Sequence, residues 1–358
     1  MNRGRSAVVA IALGACAVAC SPAREPATTT VPLERAARRA VRSEAWSMHG
    51  RLQTPGGRRF AFQAAFFRYP LSEREAASAA EFALLDEATG ATVAAGRTVR
   101  DGIRREFRHF TGIKTDDWYV HSVSTHDVGH ERFSVRLRTP GGEIVLTLAP
   151  TKAPTPSPAY SGYAFTRLRA TGFVATAGKR YAAFGTAWLD REYGFDAGDG
   201  ERATQRFELQ LTDGRDVELF STRRSDGRYR VASADRRYEL RRPAMSPYGP
   251  TVPVGGIVVD RGGGVQRLDP DAVTVAIQGN ARWHSPHEPA TYPALWRVTV
   301  RGAIEPLALE PVLRDQEVVP PASGVPVWRG GVDLAEADPP GSLRGNGLVE
   351  LTGFATGG

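Results

Sequence analysis

Cysteine is almost absent from this 358-residue sequence, which contains only Cys16 and Cys20, both close to the N-terminus. Because no cysteine follows residue 20, the remainder of the chain forms no disulfide bond and depends on burial of apolar side chains for its stability. Apolar residues make up 41% of the sequence, which is enough for a substantial core, and the length suffices for two domains of ordinary size.

Lysine is also scarce, since only three of the 46 basic residues are lysine and the others are arginine. The arginines are spread as singles and pairs between apolar residues, and no basic block contains interleaved aromatic residues. The formal net charge of +7 is therefore not concentrated as in nucleic-acid-binding proteins, and we expect no nucleic-acid partner.

Several motifs of well-known enzymes are missing. The nucleophile elbow Gly-x-Ser-x-Gly does not occur, and neither does a phosphate-binding loop or a dinucleotide fingerprint. We therefore expect neither a serine hydrolase nor a nucleotide-dependent enzyme, and no cofactor. Beyond the N-terminal segment, no stretch has the ~20 apolar residues that a membrane-spanning helix requires.

The N-terminal segment has the pattern of an export signal: "MNRGR" is basic, and "SAVVAIALGACAVA" is apolar but short. Cys20 follows small residues and precedes the polar stretch "SPAREPATTTVP", as the lipid-bearing cysteine of a lipoprotein does. Cys16 in "LGAC" is the alternative anchor, and an ordinary cleaved signal peptide is the third interpretation. We predict a lipoprotein signal peptide over 1–20, then a tether over 21–42 that ends in a short helix, 33–42. The protein is thus expected to be exported and anchored to the bacterial cell envelope.

Beyond residue 42, apolar and polar residues alternate in short runs with a turn signal about every ten residues. Runs such as "ERFSVRLRTPGGEIVLTLAP" and "QRFELQLTDGRDVELF" read as two strands joined by a glycine turn. Hairpins in series predict an all-β fold of antiparallel barrels or sandwiches. The Gly/Asp-rich stretch around residue 196 predicts a boundary between an N-terminal domain, 43–195, and a C-terminal domain, 196–358. After residue 42, only the stretch 72–88 favours a helix. We expect that helix over 72–80, and the second half of the stretch also fits a strand.

The order of several motifs resembles the lipocalin-like family of carotenoid 1,2-hydratases and AttH-type secreted proteins, over most of residues 44–354. The motifs are "EAWS" with a following glycine hairpin and "FFR", then "GTAWLDREYG", "YPALWRVTV" and "GNGLVELTGF". The resemblance implies two calycin-like (lipocalin-like) antiparallel β-barrels packed together, with little helix and with apolar interiors suited to lipophilic molecules. An eight-stranded barrel is about wide enough to hold one small ligand.

The sequence departs from the family pattern at three places. Ala45 and Ser47 stand where the family has aromatic residues, and Glu81 stands where relatives often have histidine. A Pro-rich stretch, 150–162, replaces a loop that contains a lysine in the family. These departures weaken the transfer of an enzymatic activity more than they weaken the transfer of the fold.

The block "GTAWLDREYG" (185–194) places charged residues directly after an apolar run in a predicted strand. Because side chains alternate between the faces of a strand, Trp188, Asp190 and Glu192 share one face, and Leu189 and Arg191 share the other. If the Trp188 face lines the barrel, burial beside an aromatic wall raises the pKa of Asp190. A protonated carboxyl group there can donate a proton to an isolated double bond, to which water then adds.

The resemblance implies that an aspartate in this motif is the acid of the hydratases, and Asp190 is therefore the candidate catalytic residue. Trp188, Glu192, Tyr163 and Trp46 are the candidate ligand-binding residues. Two other interpretations stay open: a Trp–Arg contact from this block that closes one end of a barrel, with Asp190 in a buried ion pair, or a carboxylate that only orients the ligand.

Three of the seven histidines, His121, His126 and His130, lie in "HSVSTHDVGHE" together with Asp127 and Glu131. Spacings of five and four residues match no zinc pattern, and the glycine indicates a turn. We interpret the stretch as a polar hairpin and expect no metal site.

We therefore predict a lipid-anchored envelope protein that binds a lipophilic small molecule in a lipocalin-like barrel. Hydratase or cyclase chemistry on an isoprenoid or polyketide, with Asp190 as the acid, is the enzymatic form of this prediction. The alternative is a non-catalytic scaffold or interaction module of the envelope.

Replacing Cys20 by alanine should move the protein from the membrane fraction to the soluble fraction, because loss of the lipid anchor leaves only weak surface attraction. Immunoblots of separated fractions measure the change, with Cys16→Ala as the matched control that stays in the membranes. Release by Cys16→Ala alone would identify Cys16 as the anchor, and release by neither variant would contradict a lipid anchor.

Overall fold

β-Strands account for most of the residues that the structure describes. The computed structural model describes residues 43–70, 75–102, 112–123, 131–157, 161–193, 201–224, 229–233, 236–240, 245–246, 249–279, 281–319, 326–338 and 340–354. Within these ranges the helical element is a 3₁₀ turn, Pro270–Ala272, and no helix is long and apolar enough to cross a membrane. The predicted signal peptide, tether and helix over 33–42 lie outside the described residues.

The first sheet contains eleven strands. They are β1 (Glu44–Gln53), β2 (Arg59–Pro70), β3 (Glu75–Asp86), β4 (Ala91–Gly102), β5 (Gly112–Thr115), β6 (Trp118–Ser122), β7 (Phe133–Arg138), β8 (Gly142–Pro150), β9 (Thr155–Pro156), β10 (Gly162–Thr176) and β11 (Lys179–Tyr193). Their order is β4-β3-β2-β1-β11-β10-β8-β7-β6-β5, with β9 beside β10. The sheet curls into a near-closed barrel. Arg97 of β4 pairs with Asp116 and Asp117 in the β5–β6 turn and so connects the two edges.

The second sheet contains fourteen strands and forms a half-barrel. They are β12 (Glu201–Leu211), β13 (Asp216–Arg224), β14 (Tyr229–Ser233), β15 (Arg236–Leu240), β16 (Met245–Ser246), β17 (Gly249–Val252), β18 (Gly255–Val259), β19 (Val265–Leu268), β20 (Val273–Ile277), β23 (Trp296–Val300), β24 (Ile304–Pro311), β25 (Glu317–Val318), β26 (Val327–Ala337) and β27 (Pro340–Thr352), and a separate hairpin consists of β21 (Arg282–His284) and β22 (Thr291–Pro293). The main order is β15-β14-β13-β12-β27-β26-β24-β23-β20-β17-β16.

Each sheet encloses its own apolar core. Trp46, Phe66 and Trp118 belong to the core of the first sheet, and Phe207 and Trp296 belong to that of the second. The predicted all-β fold of two antiparallel barrels with little helix is therefore confirmed, with a near-closed barrel and a half-barrel. The chain passes from one sheet to the other between β11 and β12, and the predicted domain boundary near residue 196 lies there, outside the described residues.

The helix expected over 72–80 is wrong, because residues 75–86 form strand β3. Alanines and glutamates in this segment favour a helix by intrinsic propensity. Pairing with β2 on one side and β4 on the other overrides that preference, and residues such as Phe82 and Leu84 enter the core of the first sheet.

The two sheets meet through polar side chains, and Asp216 of β13, which has no exposed surface, binds several of them. Its Oδ2 accepts hydrogen bonds from Lys152 Nζ at 2.6 Å and Thr166 Oγ1 at 2.9 Å, and its Oδ1 accepts two from Arg167, at 2.6 and 2.9 Å. A β-bulge between Phe165 and Leu168 permits the consecutive Thr166 and Arg167 to reach the same carboxylate.

Replacing Asp216 by alanine should lower the free energy of unfolding by about 3–5 kcal/mol, because Lys152 and Arg167 lose their shared anionic partner in a buried setting. Urea unfolding followed by tryptophan fluorescence measures the change. Asp117→Ala is the matched control, since Asp117 is half exposed in its pair with Arg97, and it should cost at most about 1 kcal/mol. Equal effects of both substitutions would contradict the special role of Asp216.

Candidate functional site

The predicted site residues lie on two opposite faces of the first sheet. Trp188, Asp190 and Glu192 face the second sheet, as their contacts with Arg206 and with each other show. Trp46 and Tyr163, from β1 and β10, instead lie in the core of the first sheet. The structure therefore brings the five predicted residues together as two separate groups rather than as one site.

The interior group is organised around Arg191. Its guanidinium lies 4.6 Å from the ring centroid of Trp46 and 5.0 Å from that of Tyr193. It donates hydrogen bonds to the Tyr163 hydroxyl at 3.0 Å and, through Nε, to Glu44 at 3.1 Å, and Glu44 also accepts one from the Trp46 indole at 2.7 Å. A buried cation enclosed by three rings and paired with one carboxylate is a packing arrangement.

This group matches the Trp–Arg contact that we considered as the closure of one barrel end by residues 185–194, with one correction. The tryptophan that meets Arg191 is Trp46 of β1, not Trp188, because Trp188 lies on the opposite face of β11. Trp188 is nevertheless fully buried and belongs to neither apolar core. Its environment is the polar layer between the two sheets.

Within that layer, Trp188 lies beside His49, its neighbour across β1 and β11. The two rings are stacked with centroids 6.2 Å apart and an interplanar angle of 17°. The Trp188 indole donates a hydrogen bond of 3.0 Å to Asp190 Oδ1. His49 Nε2 lies 2.8 Å from Glu208 Oε2 on β12 of the second sheet, and Asp190 and Glu208 share a hydrogen bond.

Arg206 is the cation at the centre of this layer. Its terminal nitrogens lie 2.8 Å from Glu192, 3.4 Å from Glu208 and 3.5 Å from Asp190. Asp190 is 1% exposed and Glu208 2% exposed, so water does not screen these charges. We name Asp190, Glu192, Glu208 and Glu218 with Arg206 the carboxyl cluster.

The carboxyl cluster contains more acidic groups than cations, and this surplus favours protonation. Burial raises the pKa of Glu208 to about 7 against the opposing charge of Arg206. Burial also raises the pKa of Glu192, and burial together with the charge of Asp190 raises that of Glu218. His49 has the opposite shift, because burial lowers its pKa to about 3 and the ring is uncharged at neutral pH.

A cavity of about 500 Å³ opens beside His49, between the outer face of β1–β4 and the second sheet. The first sheet contributes His49, Arg51, Ala61, Gln63, Ala83, Leu85 and Thr92, and the second contributes Arg329, Gly331, Gly347, Leu348 and the segment from Leu313 to Val318. This volume lies in the range of about 300–1,000 Å³ that is usual for small-molecule sites.

The cavity lies between the sheets, whereas the interior of the first barrel is filled by its aromatic core. None of the five predicted site residues lines the cavity, and Asp190 is connected to it through Glu208 and His49. Sequence reasoning did not identify His49, Arg206, Glu208 and Gln63. For Arg206 and Glu208, the available signal was the alternation of polar and apolar residues in "RFELQ". A strand with one face in solvent has the same alternation, so the pattern does not indicate a buried site.

Of the histidine-rich stretch, His126, Asp127 and His130 lie outside the described residues. His121 is described on β6, and burial lowers its pKa. In the part of the chain that the structure describes, no group of three or more His, Cys, Asp or Glu side chains has the arrangement of a metal site.

Comparison with known proteins connects this architecture with one family. The sequence profile of the AttH-like family matches residues 22–354. The crystal structure of an AttH from Nitrosomonas europaea has a TM-score of 0.70 at 23% identity, covering 88% of this chain and 93% of that one. Kievitone hydratase from Nectria haematococca has a TM-score of 0.63 at 12% identity, with coverages of 86% and 88%. At these identities the two likenesses establish the fold. No curated protein has a sequence that matches this chain.

The raised pKa of Glu208 predicts a characteristic pH dependence of stability. A carboxyl group whose pKa is higher in the folded state stabilises the fold below its unfolded pKa, and this contribution is lost as the pH rises through the folded value of about 7. Relative to Glu208→Gln, the wild type should therefore lose about 3 kcal/mol of unfolding free energy between about pH 4 and about pH 8.

Urea unfolding of both proteins at a series of pH values measures this difference. His49 acts in the opposite direction, because its lowered pKa makes the fold less stable as the pH falls from 6.5 towards 3. Subtracting the variant from the wild type removes that contribution. Parallel pH profiles of the two proteins would show that the pKa of Glu208 is the same in the folded and the unfolded state.

Proposed function

Because the chain belongs to the AttH-like family, we propose that it binds a lipophilic small molecule in the cleft between its two sheets and adds water to a carbon–carbon double bond of that molecule. The observation that carries the proposal is the contact between His49, which lines the cavity, and Glu208, which retains its proton near neutral pH. Hydration of an isolated double bond begins with protonation of carbon, and a buried acid in contact with the ligand cavity supplies that step.

The proton originates in the hydrogen-bonded pair of Asp190 and Glu208. Glu208 transfers it to Nε2 of His49 across the 2.8 Å contact. Nδ1 of the imidazolium ring formed in this way then gives its proton to the double bond. The carbocation that results takes up water and forms an alcohol. The proton that the water gives up returns to Nδ1 of His49, and Nε2 returns its proton to Glu208, which restores both groups. The sum of these steps is alkene plus water to alcohol, and no oxidant or cofactor takes part.

The pKa values of the two groups suit this transfer. Glu208 has a pKa raised to about 7, and His49 has one lowered to about 3. Forming the imidazolium ring from Glu208 therefore costs about 5 kcal/mol, and the cation formed is a far stronger acid than an ordinary histidine. Protonation of carbon requires a strong acid, and the stacked Trp188 ring holds the imidazole in place during the transfer.

The interior of the cleft supports a lipophilic ligand. Ala61, Ala83, Leu85 and Leu348 contribute apolar walls, and the charges of Arg51 and Arg329 are paired with Glu87 and Glu350. Kievitone hydratase, whose fold is similar, is by its name a hydratase. The location we propose is the bacterial cell envelope, with Cys20 as the lipid anchor, where lipophilic molecules partition.

Asp190→Asn and Glu208→Gln should each reduce kcat for hydration by about 10²-fold or more with little change in affinity, because they remove the acidic proton and retain the side-chain size. Farnesol, geranylgeraniol and squalene in ¹⁸O-labelled water serve as probes, with mass spectrometry of the labelled alcohol as the measurement. The matched control is Glu192→Gln, which also removes a partner of Arg206 but has no contact with His49 in the described structure, and it should retain more activity than either of those two variants.

Thermal unfolding of the same variants separates chemistry from structure. If Asp190 serves only in a buried ion pair, Asp190→Asn lowers the melting temperature strongly and weakens binding of every probe. Binding of the probes without incorporation of ¹⁸O in the wild type would eliminate the hydratase chemistry and leave a binding protein. Absence of binding would contradict the proposal as a whole.

A further inference from the structure

The outer face of the first sheet, on the strands from β5 to β11, brings together side chains that are far apart in the sequence. Because residues paired across neighbouring strands project to the same face, the register defines a row of side chains across the sheet. The alternate residues, such as Val135, Leu146 and Val174, lie in the core, so the row points outward. Its members are Lys114, Tyr119, Arg136, Val145, Phe173 and Ala182.

This part of the outer face is not covered by the second sheet. On β11, Trp188 and Asp190 are buried against the second sheet, whereas Ala182 and Phe184 on the same face of that strand are exposed. Phe184 has 42% of its surface exposed and pairs with the exposed Thr171 of β10. Neighbouring exposed apolar side chains mark a surface that interacts with a partner.

Basic side chains surround the apolar ones on this face. The guanidinium carbon of Arg180 lies 3.4 Å from the ring centroid of Phe173. Among the described strand residues of the face, the one acidic side chain is Glu143, which lies 3.4 Å from Arg136. The other cations form no ion pair with any carboxylate that the structure describes. We name this surface the aromatic–basic face, and it consists of Tyr119, Val145, Phe173, Ala182 and Phe184 with the cations Lys114, Arg136, Arg138, Arg169 and Arg180.

This composition fits a lipid surface better than a soluble polyanion. Guanidinium and ammonium groups are attracted to anionic headgroups, and aromatic and aliphatic side chains enter the boundary between headgroups and acyl chains. A soluble polyanion would neutralise the cations and leave Val145 and Phe184 in water. The sequence contains no basic block with interleaved aromatic residues, but strand pairing assembles such a surface from separate segments.

We propose that the aromatic–basic face docks on an anionic phospholipid bilayer, with Phe184 among the lipid headgroups. The face shares no residue with the cavity beside His49, so this inference is independent of the proposed function. Docking requires no lipid anchor, although a tether to the same bilayer would raise the local concentration of the face at the membrane surface.

Hydroxyl-radical labelling of the full-length protein, read by mass spectrometry, tests the proposal because it measures the water accessibility of single side chains. The protein is mixed with vesicles of phosphatidylcholine alone or with vesicles that also contain phosphatidylglycerol. Labelling of Phe184 should fall about threefold or more on the anionic vesicles relative to the neutral ones, because headgroup contact excludes water. Val265 on β19, which is 44% exposed outside the face, is the internal control and should be labelled equally on both.

Two arginine pairs separate this face from a general effect of net charge. Arg169→Gln/Arg180→Gln removes two exposed cations of the face and should return the labelling of Phe184 to its value on neutral vesicles. Arg282→Gln/Arg301→Gln is the matched control, because it removes the same charge at exposed positions outside the face, and it should retain the protection. Arg169→Lys/Arg180→Lys retains the charge and should also retain the protection.

Equal labelling of Phe184 on both kinds of vesicle would overturn the inference, and so would equal loss of protection in the two glutamine variants. Protection of Phe184 that rises with protein concentration in the absence of vesicles would identify a second copy of the chain as the partner and would also overturn it.

Discussion

The structure depends on charged side chains that are buried between two sheets, each of which has an apolar core of its own. A charge that leaves water costs several kcal/mol unless an opposite charge and hydrogen bonds compensate it. Asp216 is compensated by Lys152 and Arg167 from the first sheet, and Arg206 is compensated by Asp190 and Glu192. An apolar interface tolerates small displacements, whereas these ion pairs form in only one relative position of the two sheets. The same ion pairs therefore determine where the cleft between the sheets lies.

The carboxyl cluster shows how this interface acquires a group that can donate a proton. Asp216 is surrounded by two cations and a hydroxyl group, whereas Glu208 and Glu218 share the single cation Arg206 with two further carboxylates. Excess carboxylates in a buried layer retain protons at neutral pH. A proton donor and a small-molecule cavity therefore lie side by side. Cations do not fully neutralise the carboxylates in this part of the interface, and the alanines beside it leave space unfilled.

Much of the fold follows from local sequence patterns, because hairpin turns and period-two alternation are properties of neighbouring residues. They predict the strands, the all-β class and the two faces of β11, and they fail for β3, where tertiary pairing overrides helix propensity. The site is less accessible to such reasoning. Alternation correctly assigns Asp190 and Arg191 to opposite faces of the strand. It does not show whether a polar face contacts another sheet or water, because both give the same sequence pattern. Glu208 approaches His49, some 160 residues earlier in the chain, only because the two sheets dock against each other.

The adjacent residues Asp190 and Arg191 show how one strand connects closure of a barrel to positioning of an acid. Arg191 binds Trp46, Tyr163 and Glu44 on the inner face, and these contacts restrain the end of β11 against β1 and β10. Asp190 projects from the same backbone towards the second sheet, where Trp188 holds one of its oxygens. Because the backbone between them is paired on both sides, restraint of the inner face also restrains the outer one. The Trp46–Arg191 contact therefore supports the site from the opposite side of the strand, which accounts for the charged residues at the end of an apolar run.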